Sequence, residues 1–324
     1  MSDIYHIPND DGKTYRLKKF VEYQHEAAST DCPFVARYCR DEKMDENNIV
    51  NMAFVLSATY SEITTAFLAE LSKTMSFDEA FERHGSLLNF GSARKHMKLN
   101  GRFQILMKDW QYYVNSGLYD FVKANESENP ETTYKRIQAQ IMKINEVGRF
   151  ASDLFLELLV LMKSDLNLNI KEPAALDWKN CSNLTSGTYN IFYEDEKANE
   201  YDRTGVVTDM EKKYLTLKIK QIQKEIARTY PEQSTEVSVF VGKICSFRNL
   251  FKGARYGGFH HDRQLGVLRN YETLFPEYDY VWKHCYEIRK AIYPNKLLGE
   301  LNGWDGIRKE RKRLWLNEGL TGVE

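Results

Sequence analysis

Residues Lys143 to Leu159 read KINEVGRFASDLFLELL. Thr133 to Ile144 keeps a helical period, Asn145-Glu146-Val147-Gly148 interrupts it, and Arg149 to Lys163 resumes it with an uninterrupted apolar face. Two helices joined by so short a glycine-containing turn form a helical hairpin, with Ile144, Val147, Ala151 and Leu154 holding the arms together. The first N–H groups of the second arm have no acceptor within their own helix, and the helix dipole favours negative charge beside them. The turn therefore offers a place for one DNA phosphate, with Lys143, Val147, Gly148 and Arg149 as its candidate contacts. Glu146 is an unfavourable neighbour for a phosphate, and a plain αα-hairpin is the alternative reading of the same residues.

Outward from the hairpin the chain keeps the same character. Only seven prolines interrupt it, and long 3.6-residue patterns predict an all-α protein. Tyr15 to Ala28 reads as a helix that Thr30, Asp31 and Pro33 break, and Asn47 to Lys73 reads as one long helix with a broad apolar stripe. Ser76 followed by Glu79 is a capping box that starts a short helix through His84. Leu99 to Lys123, Val206 to Thr229, Glu236 to Phe251 and a basic segment from Trp304 to Glu318 complete the expected helices. The most linker-like stretch is Asn125 to Thr132, NESENPET, which divides the chain into an N-terminal lobe, 1–124, and a second lobe, 133–324.

With 42% hydrophobic and 28% charged residues, no long apolar run and no N-terminal signal pattern, the chain reads as a soluble cytoplasmic protein with no membrane partner. Five widely spaced cysteines without a C-x-x-C pair exclude a disulfide framework and a structural zinc site as readings. A formal net charge of -1 means that a polyanion must be met by local clusters.

The densest such cluster is Cys245 to Arg269, CSFRNLFKGARYGGFHHDRQLGVLR. Arg248, Lys252, Arg255, His260, His261 and Arg263 surround Gly257-Gly258, where the backbone can approach an anion closely. A basic surface turn between two helices is the bland alternative. Adjacent histidines in a helix point about 100° apart, so His260 and His261 suit hydrogen bonding or proton shuttling better than joint metal ligation. Asp177 lies between Leu176 and Trp178, two residues before Lys179. Partial desolvation there would raise its pKa and prepare it as a general base, whereas a helix N-cap is the structural alternative. Arg308, Lys309 and Lys312 form part of a basic run that includes Trp304 and Trp315. That run reads either as a solvated face or as a surface gripping a nucleic-acid backbone.

The hairpin spacing resembles the helix-hairpin-helix element of base-excision DNA glycosylases, with Asn145-Glu146 in place of the usual Pro-Gly. In that fold a catalytic aspartate follows the hairpin after one helix and an extended segment, and the resemblance points to Asp177. The segments FRNLFKGARYGGFHHDRQL, LDWKNCSNLTSGTYNIFY and LLGELNGWDGIRKERKRLWLNEGLTG resemble those of the alpha-glutamyl/putrescinyl thymine pyrophosphorylases. These are amino acid:DNA transferases of phages with hypermodified thymine, and the likeness spans Thr133 to Glu324. It implies a two-lobed glycosylase-type helical fold and action on duplex DNA in the cytoplasm of an infected bacterium. The pyrophosphate of 5-(pyrophosphoryloxymethyl)deoxyuridine would be replaced by an amino acid or polyamine. Asp177, His260 and His261 would be catalytic. Arg248, Lys252, Arg255, Tyr256, Gly257, Gly258, Arg263, Lys179 and Trp178 would hold the pyrophosphate and its base, with Mg²⁺ as an optional companion. The surplus of cations favours an amino acid over putrescine as co-substrate. A glycosylase-like base-processing enzyme and a non-catalytic DNA-binding protein are the competing functions.

Overall fold

The computed structural model of the 324-residue chain describes residues 16–18, 20–21, 31–91, 94, 97, 101–173, 182–231, 243–245, 247–248, 259–293 and 298. The protein is all-α, and no strand occurs among the described residues. Its contacts divide it into two units that interleave along the sequence. Unit 1 comprises Met1–Ser29, Ala174–Asp262 and Pro294–Glu324, and unit 2 comprises Thr30–Pro173 and Arg263–Tyr293. This division departs from the expected lobes at 1–124 and 133–324. Asn125 to Thr132 lies inside unit 2, where the Asn129 side chain accepts from the Glu131 and Thr132 amides and Pro130 opens the next helix. A polar, proline-containing stretch that reads as a linker is here a helix start.

Unit 2 begins with α1 (Asp31–Asp41), α2 (Glu46–Thr59), α3 (Glu62–Leu71) and α4 (Phe77–His84). It continues with α5 (Arg102–Asn115), α6 (Leu118–Ala124), α7 (Pro130–Ile141) and α8 (Arg149–Leu161). The expected helix from Asn47 to Lys73 is two helices. Tyr60 takes φ 50°, ψ 44°, a left-handed conformation that ends α2, and its N–H donates to Leu56 O at 2.7 Å. Gly91 N–H and Arg94 Nε then supply donors to the carbonyls of Thr59 and Ala58, at 2.8 and 3.2 Å, so the buried helix end is satisfied from outside. Leu99 to Lys123 is likewise broken, at Gly117 with φ 85°. The capping box at Ser76 and Glu79 forms as expected, with both reciprocal hydrogen bonds present.

Packing in unit 2 is dominated by aromatic rings. Trp110 stacks on Phe54 with centroids 3.7 Å apart, and its indole N–H donates to Asn51 at 2.9 Å. Two later helices, α12 (Phe259–Leu274, whose first residues to Asp262 belong to unit 1) and α13 (Asp279–Ile292), return to this unit. They bring Tyr271, Phe275 and Trp282 around Phe67 of α3.

Unit 1 contains α9 (Ser182–Ile191), α10 (Asp195–Thr204) and α11 (Asp209–Thr229). Leu215, Ile219, Ile222 and Ile226 form the buried stripe of α11 and join Leu184, Ile244 and Phe247 in a separate core. Thr208 and Glu211 close a second capping box at its start. Gly187 is fixed by close approach: a Cβ there would stand 2.7 Å from Ile244 Cγ2 and 2.8 Å from the Ile244 carbonyl oxygen. No helix among the described residues is long and apolar enough to cross a membrane.

Candidate functional site

Two constellations from the sequence can be followed into the structure, one in each unit. In unit 2 the hairpin forms between α7 and α8. Val147 is buried and its N–H donates to Ile144 O at 3.1 Å, while Ile144, Ala151 and Leu154 are buried beside it. Gly148 is the N-cap of α8 at φ -83°, ψ -178°, and no side chain among the described residues caps the helix. Among the described residues nothing lies within 4 Å of the position a Cβ would take at Gly148. The first turn of α8 thus begins without a side-chain cap among the described residues, which leaves its amide donors suited to an anion.

Glu146, the residue at odds with a phosphate, adopts φ 64°. It therefore holds the backbone conformation that glycine takes most easily, at a cost of about 1 kcal/mol for a residue with a Cβ. Its carboxylate turns to Arg102 at 3.3 Å. Its carbonyl accepts from Arg94 Nη1 at 3.0 Å. Arg94 is only 5% exposed, and burial pulls its pKa down from the ordinary arginine value, with the nearby Glu146 charge opposing that shift. By donating to Ala58 O and Glu146 O, this one guanidinium ties the end of α2 to the hairpin turn. Asn145 is fixed from the other side, its amide N–H and side chain both donating to Asp109 Oδ2 at 3.1 and 2.7 Å. Lys143 donates to Gln140 at 2.8 Å, and Arg149 faces Asp153 at 3.7 Å. Both are surface pairs that a stronger anion can displace.

In unit 1 the expected anion ligand Arg248 is built into the fold. It is 5% exposed, donates to Asp202 Oδ2 at 2.6 Å, and bonds Asn190 Oδ1 through its other terminal nitrogen. Ser186 also donates to Asp202. Asn190 is shared further: its side chain donates to Asp195, and its carbonyl accepts from Arg16 Nη1 at 3.0 Å. Arg16 pairs with Asp195 at 2.8 Å and lies over the Tyr193 ring at 4.1 Å. Two arginines and two aspartates balance one another here, and the guanidinium of Arg248, expected to bind pyrophosphate, is engaged within unit 1.

His260 is half-buried and His261 is 2% exposed, in the first turn of α12. The two neighbours thus differ in access, as residues about 100° apart on a helix must. Asp262 beside them is buried. Arg263, also expected at the anion, belongs to unit 2 and donates to Tyr60 O at 3.1 Å. Asp177, Trp178, Lys179, Lys252, Arg255, Tyr256, Gly257, Gly258, Arg308, Lys309 and Lys312 lie outside the described residues.

Sequence reasoning missed Asp202, Asn190 and Ser186 as partners of Arg248, and it missed the paired carboxyls of Asp31 and Glu62 in unit 2. The signal available for Asp202 was weak, an aspartate on a short and very polar helix. Fold and site together define an all-α, two-unit protein with a helical hairpin. Comparison with family models, with curated proteins and with solved structures finds no match for the chain.

Proposed function

We propose that this chain is a DNA-modifying transferase that replaces the pyrophosphate of 5-(pyrophosphoryloxymethyl)deoxyuridine with an amino acid or amine. The observation that carries the DNA-binding half of this reading is the hairpin turn. Glu146 takes a left-handed, glycine-like backbone where the resembled motif has glycine, and α8 begins uncapped at Gly148. The transfer chemistry rests on the likeness of the segments around Cys245 to Arg269 and Trp304 to Glu318.

In the proposed reaction the amine nitrogen forms a bond to the exocyclic carbon of the base. The carbon–oxygen bond to pyrophosphate breaks, and the leaving group departs with the electron pair. Asp177 takes the proton that the amine loses. Lys252, Arg255 and His260 meet the charge that develops on the departing oxygens. Arg248 and Arg263 are not assigned to this step, because their guanidiniums are engaged within their own units.

The test is incubation with DNA carrying the pyrophosphorylated base and single amines. Pyrophosphate release with a heavier nucleoside supports transfer. A free base or abasic site would establish glycosylase action instead, and DNA binding without either product would reduce the role to binding.

A further inference from the structure

Unit 2 is assembled from two chain segments, 30–173 and 263–293. Residues at three of its four chain ends meet in one network, in which Gln264 and Tyr293 are buried and Asp31 and Arg263 are half-buried. Asp31 is the second residue of the first segment, Arg263 and Gln264 open the second, and Tyr293 closes it. Glu62, in the first turn of α3, sits at the centre and is 5% exposed.

The amide of Gln264 is oriented by its partners. Arg289 Nη1 can only donate, and it bonds Gln264 Oε1, so the amide nitrogen must face the other way. That nitrogen donates to Glu62 Oε1 at 2.7 Å and to the Tyr293 hydroxyl oxygen at 3.0 Å. Glu62 also shares a side-chain hydrogen bond with Asp31. Two carboxyl groups can make such a bond only if one of them carries a proton.

We propose that Asp31 and Glu62 hold one proton between them, and that this proton latches the chain ends of unit 2 together, so that the latch loosens when rising pH removes it. With the proton gone, two negative charges would face each other where Glu62 is buried and Asp31 half-buried, and the bond joining the start of α1 to α3 would be lost.

The charged and titratable groups around the pair come from every packed element. Glu157 of α8 adds negative charge, Arg263 of α12 opposes it, and Arg289 of α13 is held at Gln264. Cys32, Cys285 and Tyr293 are all pushed up, by burial first, and stay protonated. The carboxyl pair is thus the group in this network whose proton the latch depends on. Burial, then the Glu62 charge, places the Asp31 carboxyl well above its ordinary value of 3.8. The folded chain therefore binds the proton more tightly than the unfolded chain. The stabilisation is complete below the unfolded value and is lost as pH rises through the folded one.

The experiment is hydrogen exchange on the full chain at pH 5.5 and 8.5, corrected for intrinsic exchange, reading peptides from α1 and α12. The wild type should lose protection in both by about threefold or more at the higher pH, with peptides of α11 unchanged. Asp31→Asn, which keeps a hydrogen-bonding side chain without the titrating group, should remove that pH response, and Glu62→Gln should do the same. Equal protection of the wild type at the two pH values would overturn the latch, as would a response that persists in both variants. Because the wild-type comparison stands by itself, a variant that fails to fold leaves the proposal open to refutation. DNA and transfer activity do not enter the readout.

Discussion

Replacing Glu146 by glycine separates the backbone geometry of the hairpin from its charge. Glycine removes the cost of holding a Cβ at φ 64°, about 1 kcal/mol. It also deletes the Arg102 pair, in which the arginine side chain is 45% exposed and the glutamate 25%, a contact worth roughly 0–1 kcal/mol. Greater freedom of glycine in the unfolded chain takes back about 0.5–1 kcal/mol. The three effects nearly cancel, so the melting temperature should move by no more than a degree or two. DNA binding should change much more. The substitution removes a carboxylate from the turn and frees Arg102 to meet a phosphate, so affinity for duplex DNA should rise several-fold. The plot of log affinity against log salt should steepen by about 0.9, the increment for one further neutralised phosphate. Fluorescence anisotropy across a salt series reads both quantities. Unchanged affinity and slope, with the protein folded, would show that the hairpin does not face DNA.

Other substitutions probe how each unit is held. Asp202→Ala leaves the buried Arg248 guanidinium without its carboxylate and should cost about 3–5 kcal/mol in denaturant unfolding, whereas a loss below 1 kcal/mol would return Arg248 to the list of available anion ligands. Gly187→Ala drives a methyl into Ile244 and its carbonyl oxygen. A destabilisation of about 1–3 kcal/mol is expected, and a neutral outcome in thermal melts would mean that α9 can move away. Trp110→Ala empties a fully buried stacked position and should cost about 3–5 kcal/mol, measured as a shift of the urea midpoint without a change of slope.

The helical class was legible because period and capping chemistry are local. Ser76 with Glu79 announced its helix four residues ahead of any packing, and the hairpin arms showed their apolar faces directly. The break at Tyr60 was not legible: nothing in a tyrosine's own preferences marks it for a left-handed backbone, and the donors that satisfy the broken end come from Gly91 and Arg94. Asn129-Pro130 looked like a linker because a helix cap and a loop use the same residues. Arg248 looked available because its basic neighbours are adjacent in sequence, while the aspartate that neutralises it lies 46 positions away on another helix. A cluster of cations in sequence says how much positive charge is present and little about how much of it is already answered.

The interleaved segments of unit 2 carry a consequence for synthesis. Phe67 is on the ribosome's product early, but Tyr271, Phe275 and Trp282, which enclose it, emerge only after all of residues 174–262. The first segment must therefore wait with an apolar face uncovered while the residues of unit 1 are made. At about 5–20 residues per second that interval lasts several seconds, long enough for a chaperone to matter. Truncation before α12 should accordingly yield an aggregating product even though most of the helices of unit 2 are present.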